Sequence, residues 1–174
     1  MIRAIVAGLV AGLLVVGGAS FAKGGAGAHD YPEATSYTVS EDAMGDVEAA
    51  LERARANGKR VLLVMGANWC HDSRALAGWL ESETIAPMVE REYELVFVNI
   101  GMPQKGDGHN LAIARRFGLE DLPGTPNLLV LTGEGVLVNP DTATTWRNAA
   151  SRSHDNIYDE LVLLSEAPAP DKAT

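Results

Sequence analysis

Cysteine is almost missing from this chain: 174 residues hold one, Cys70. That excludes an internal disulfide framework and any zinc site built from several thiolates. Positive charge is also short. Lys and Arg number 14 against 23 Asp and Glu, a net charge of −9. Such a balance argues against a general nucleic-acid binder, whose affinity comes from cations on phosphates. No glycine motif of the phosphate-cradling kind is present, no Ser-His-Asp order is convincing, and no internal repeat is visible. The length predicts one domain with a real core.

Long apolar runs are confined to the N-terminus. Met1-Ile2-Arg3 gives a positive start, Ile5 to Val16 is apolar apart from Gly8 and Gly12, and Ser20-Phe21-Ala22 puts small residues at the −3 and −1 positions of a signal-peptidase site. The segment reads as a signal peptide cleaved after Ala22. The alternative is an uncleaved anchor, since Ala4 to Ala22 spans 19 mostly apolar residues, close to the roughly 20 that cross a bilayer. A membrane partner is expected only in that second case. Either way the chain is expected to be exported, to the bacterial periplasm or beyond. No cysteine follows the run, so a lipid anchor is not expected.

Residues 23–40 are rich in Gly, Ala, Ser and Thr and read as a flexible linker, with a short extended piece at Tyr37 to Val39. Ser40-Glu41-Asp42 opens a helix on which Met44, Val47, Leu51 and Ala54 form one stripe, closed by Asn57-Gly58. Arg60 to Met65 predicts a central strand buried on both faces. A helix follows from about Cys70, with Leu76 and Leu80 inward, and bends before a second piece ending near Glu92. Leu95 to Ile100 is the next strand, Gly101 to Gly108 a loop, and Asn110 to Phe117 a helix stopped by Gly118. Leu128 to Leu131 and Val136 to Val138 read as a hairpin joined through Gly133 and Gly135. Ser153 to Leu164 is the last helix, and 166–174 a disordered tail. The expected fold class is α/β, a central mixed sheet flanked by helices over residues 41–165, with an extra N-terminal helix.

Cys70 therefore falls where a strand has turned into a helix. A helix N-terminus carries roughly half a positive charge and unpaired N–H groups, which favour a thiolate, the nucleophilic form. The competing reading is a buried structural cysteine. Paired with His71 the thiol suggests a soft metal, yet His29, His109 and His154 lie far off in sequence, and no metal is expected.

The strand Val61 to Met65 and the run Gly66-Ala67-Asn68-Trp69-Cys70-His71-Asp72-Ser73 resemble the active-site segment of the thioredoxin superfamily, whose pattern is Trp-Cys-x-x-Cys. Ser73 stands where the second cysteine would be. Gly124-Thr125-Pro126 is similar to the family's cis-proline motif. The resemblance implies a thioredoxin-like fold, with Pro126 facing Cys70 and the Thr125 backbone pairing with an incoming peptide. The extra first helix resembles exported members. Val64 departs from the pattern: it occupies the position, six before Cys70, where many members carry a buried acid.

By that resemblance Cys70 takes part in thiol–disulfide exchange as a monothiol, with an outside thiol finishing each exchange. The partners implied are protein thiols or disulfides, or small thiols; a dimer joined through Cys70 is also open. No bound cofactor is called for. The alternative is a binding or chaperone-like module without turnover. Ser73 either donates a hydrogen bond to the thiolate or is an inert remnant. His71 either tunes Cys70 or is solvated in the first helical turn. Asp72 reads as a favourable helix-start charge. Trp69 either belongs to the partner surface or packs in the core.

Overall fold

A computed structural model describes residues 30–170. The proposed signal segment, residues 23–29 of the linker and residues 171–174 of the tail lie outside the described residues.

The first helix, α1 (Ala43–Asn57), begins where the Asp42 side chain accepts the Gly45 N–H at 2.8 Å, and ends at Gly58 with φ 77°. Only glycine takes that left-handed angle freely, so the chain turns there and starts β1 (Arg60–Gly66). Then come α2 (His71–Leu80), α3 (Ala86–Glu92) and β2 (Tyr93–Asn99). A small excursion follows: β3 (Gly101–Met102), a 3-10 turn at Pro103–Lys105, and β4 (Asp107–Gly108). The chain continues through α4 (Leu111–Arg116), β5 (Asn127–Leu131) and α5 (His154–Glu166).

The main sheet has the order β2-β1-β5, with β1 parallel to β2 (Leu62↔Leu95) and antiparallel to β5 (Leu62↔Val130). It is the expected mixed sheet with helices on both faces. Alternate side chains of a strand point to opposite faces. Leu62 and Val64 accordingly enter one core, with Leu76 and Leu80 of α2 and Leu161 of α5. Leu63 and Met65 enter the other, with Val47 and Leu51 of α1 and Ile113 of α4. Each fully buried Leu contributes about 1.5–3 kcal/mol, so this two-sided burial fixes β1, and with it the turn at its C-terminal end.

Three expectations need correction. Residues 31–40 are not a free linker, because Tyr37 is 1% exposed and its ring belongs to the core beside Leu76. The tail begins later than residue 166: α5 includes Glu166, and the Ala167 carbonyl accepts a hydrogen bond from Arg60 Nη2 at 2.8 Å. Val136 to Val138 makes one bridge, Leu131↔Leu137, instead of a strand. The Asn139 side chain takes the missing strand's place, accepting the Val130 N–H at 2.8 Å and donating to the Leu128 carbonyl at 3.0 Å. A side-chain amide offers a carbonyl acceptor and an NH2 with two donor hydrogens, so it pairs with the backbone as a strand residue would, alongside the Val138 N–H that donates to the Val130 carbonyl at 2.8 Å.

Candidate functional site

Because β1 is fixed on both faces, its exit loop delivers Cys70 to the N-cap position of α2. The Cys70 N–H donates to the Ala67 carbonyl at 3.1 Å, and its own carbonyl accepts the Arg74 N–H at 3.0 Å. The side chain makes no capping bond; the sulfur lies 3.4 Å from the Thr125 carbonyl oxygen, to which the thiol donates. Cys70 is 8% exposed. The Thr125–Pro126 peptide bond is cis, and both residues are buried.

The other residues singled out in the sequence cluster here. Trp69 lies on the surface, 46% exposed, with Nε1 donating to the Gly101 carbonyl at 2.9 Å. His71 is exposed, and its Nε2 lies 3.1 Å from Asp72 Oδ2. Ser73 is fully buried, and its hydroxyl oxygen accepts the Ala67 N–H at 3.4 Å. Its hydroxyl thus pairs with the turn's backbone.

Two features escaped the sequence reading. Asp72 is more than a favourable charge at a helix start: it is 8% exposed, and its Oδ1 accepts the Ala150 N–H at 2.9 Å, tying α2 to the 3-10 turn at Ala149–Ser151. Tyr37, placed in the linker, donates its hydroxyl proton to the Ser73 carbonyl at 3.2 Å. Burial pushes its phenol far above the ordinary tyrosine range, against a smaller opposing effect of the Ser73 contact. Tyr37 is therefore a neutral donor at every physiological pH. An aromatic among small and polar residues, one of two in the segment with Tyr31, was the available signal.

On the segment that carries the sulfur's partner, Thr125 Oγ1 and Asn127 Oδ1 are buried without a hydrogen bond among the described residues. No three His, Cys, Asp or Glu side chains among the described residues form a group able to hold a metal. No helix among them is long and apolar enough to cross a membrane.

Chemically, the site offers one thiol at a helix N-terminus, a carbonyl that holds it, and an exposed indole beside it. Comparison with known proteins agrees with that geometry. A family model described as thioredoxin-like matches residues 42–133. The crystal structure of a disulphide isomerase from Xylella fastidiosa Temecula1 is similar, with a TM-score of 0.66 and 29% sequence identity, covering 76% of this chain and 100% of that one. No curated protein matches.

Proposed function

The chain belongs to the thioredoxin-like family, and from that membership we propose that it carries out thiol–disulfide exchange through Cys70 alone, in an exported setting. The observation that carries the reading is the meeting of Cys70 with Thr125 at the N-terminus of α2, beside Pro126. The likeness to a disulphide isomerase supports the same chemistry.

The exchange runs in two displacements. The Cys70 thiolate attacks one sulfur of a substrate disulfide. A new S–S bond joins Cys70 to that sulfur, the old S–S bond breaks, and the departing thiolate takes a proton from solvent. An external thiolate then attacks the substrate-side sulfur, forms a disulfide with it and releases Cys70. No net oxidation or reduction occurs, which suits a site where Ser73 stands in place of a resolving thiol. Trp69 offers the substrate an apolar surface, and the Thr125 N–H, which no backbone acceptor among the described residues engages, is free to pair with an incoming peptide.

The low exposure of Cys70 favours a second reading, a binding module that holds a partner on the Trp69 and Pro126 surface without turnover. One experiment separates the two. The purified chain is mixed with a glutathionylated peptide and excess glutathione, and release of free peptide is followed. Exchange predicts release that Cys70→Ser abolishes. Binding of the peptide with no release by the native chain would leave the module reading.

A further inference from the structure

Residues 32–37 run along α2 as a strap. At one end the Pro32 backbone presses on Gly78, where an added Cβ would stand 2.5 Å from the Pro32 carbonyl. In the middle the Ala34 N–H donates to the Arg74 carbonyl at 3.0 Å. At the other end Tyr37 is held from three sides. Asn68 makes a two-way clamp, accepting the Tyr37 N–H at 3.2 Å and donating to its carbonyl at 3.1 Å. Asn99 Nδ2 donates to the same carbonyl at 3.0 Å. The phenol reaches the Ser73 carbonyl in the first turn of α2.

These bonds close a ring. Asn99 Oδ1 accepts the Gly101 N–H at 2.9 Å, and the Gly101 carbonyl accepts the Trp69 indole N–H. Trp69 follows Asn68 in the chain. Tyr37, Asn99 and Gly101 thus form a closed ring with Trp69 and Asn68, the two residues that precede Cys70 in the turn. The Tyr37 ring also touches the start of that turn: a Cβ added at Gly66 would lie 2.7 Å from Tyr37 Cε1.

We infer that Tyr37 is a positioning residue for Cys70, and that residues 32–37 are a working part of the site. The inference rests on the exchange reading for its consequence, but its physical content is the rigidity of the turn. A sulfur that must meet a disulfide in line loses rate when its backbone wanders. The turn is short, Trp69 is exposed and Asn68 half-buried, and its buried residues Ala67 and Cys70 belong to neither core cluster, so it has little apolar packing of its own to hold it. The ring of bonds supplies that restraint, and one residue, Tyr37, joins its backbone clamp to the helix.

The test uses the full chain with Asn68→Ala, which removes the clamp, and Tyr37→Phe, which removes the phenol bond. Two quantities are read: amide hydrogen exchange by NMR, and single-turnover exchange with a glutathionylated peptide. Each lost bond is expected to speed exchange of the Cys70 and Arg74 amides by about tenfold or less, while the Leu62 to Val64 amides stay as slow as in the native chain. Peptide release should fall in step. A globally weakened protein would instead speed both sets of amides. Unchanged turn amides in both variants would overturn the inference, as would loosened turn amides with undiminished release by an active native chain. If the native chain itself releases no peptide, the exchange reading fails, and the amide data alone still decide whether the strap orders the turn.

Discussion

The Cys70 sulfur and the Thr125 carbonyl oxygen, 55 residues apart in sequence, lie 3.4 Å apart. Two strands achieve this. Met65 of β1 pairs with Asn127 of β5, so the loop leaving β1 and the loop entering β5 finish at the same end of the sheet. The bond holds the thiol against the protein, and in the proposed exchange a substrate sulfur must draw Cys70 away from it.

Ser73 lies three residues after the N-cap Cys70, almost one helical turn on and on the same face. Ser73→Cys is expected to form an internal disulfide with Cys70 under mild oxidation, and to gain dithiol-dependent reductase activity. Mass spectrometry of the oxidised variant, with and without alkylation, reads the bond directly. Two free thiols in a folded variant would show that the first turn of α2 does not bring the side chains together.

Asp72 is buried and holds the Ala150 N–H. Asp72→Ala leaves that donor without its charged acceptor and is expected to cost about 1.5–3 kcal/mol in urea unfolding. Asp72→Asn keeps a side-chain oxygen and should cost clearly less. Equal losses in the two variants would mean that the hydrogen bond is not what Asp72 contributes.

Glu94 joins the edge strand β2 to the end of α1. Partial burial raises its carboxyl, but the hydrogen bonds from Arg53 and Asn57, both 2.7 Å, and the charges of Arg53 and Lys59 outweigh it and hold the group below the ordinary Glu range. A carboxyl depressed on folding stabilises the protein fully above its unfolded pKa, about 4.3, and that stability is lost as pH falls through the lower folded value. Glu94→Gln should therefore lower stability by about 0.5–1 kcal/mol at pH 7, with the difference shrinking below about pH 4. Thermal unfolding of both proteins across that range is the measurement; a constant difference would remove the charge argument.

Val64 is fully buried in the core with Leu62 and Leu76, at the position where many thioredoxin-like proteins carry an acid. Val64→Asp places a polar group among apolar neighbours and should cost at least about 2 kcal/mol. Urea unfolding at neutral pH tests it, and a neutral result would mean that this core still accommodates an acid there.

Element types were legible in the sequence because each rests on a local regularity. The stripe on α1, the unbroken apolar run of β1 and the glycine after α1 are signals that neighbouring residues send together. The step from β1 through Trp69 to Cys70 placed the thiol at a helix start for the same reason, and the resemblance to thioredoxin-like proteins named the fold. Asn139 illustrates where such reading stops: Val136 to Val138 looks like a strand, and only the folded chain shows an amide side chain already holding the edge of β5.

The site's supporting bonds were not legible at all. Tyr37 reaches Asn68 across 31 residues and Asn99 across 62, and Asp72 reaches Ala150 across 78. A tyrosine, an asparagine or an aspartate carries no mark of its distant partner, since a polar side chain suits water as well as a hydrogen bond. What the sequence by itself determined is which segments must hide an apolar face, and therefore the sheet, its helices and the position of Cys70. Which polar groups then lost their water, and so had to find one another around that thiol, was decided only when the two cores closed and brought the ends of the strands together.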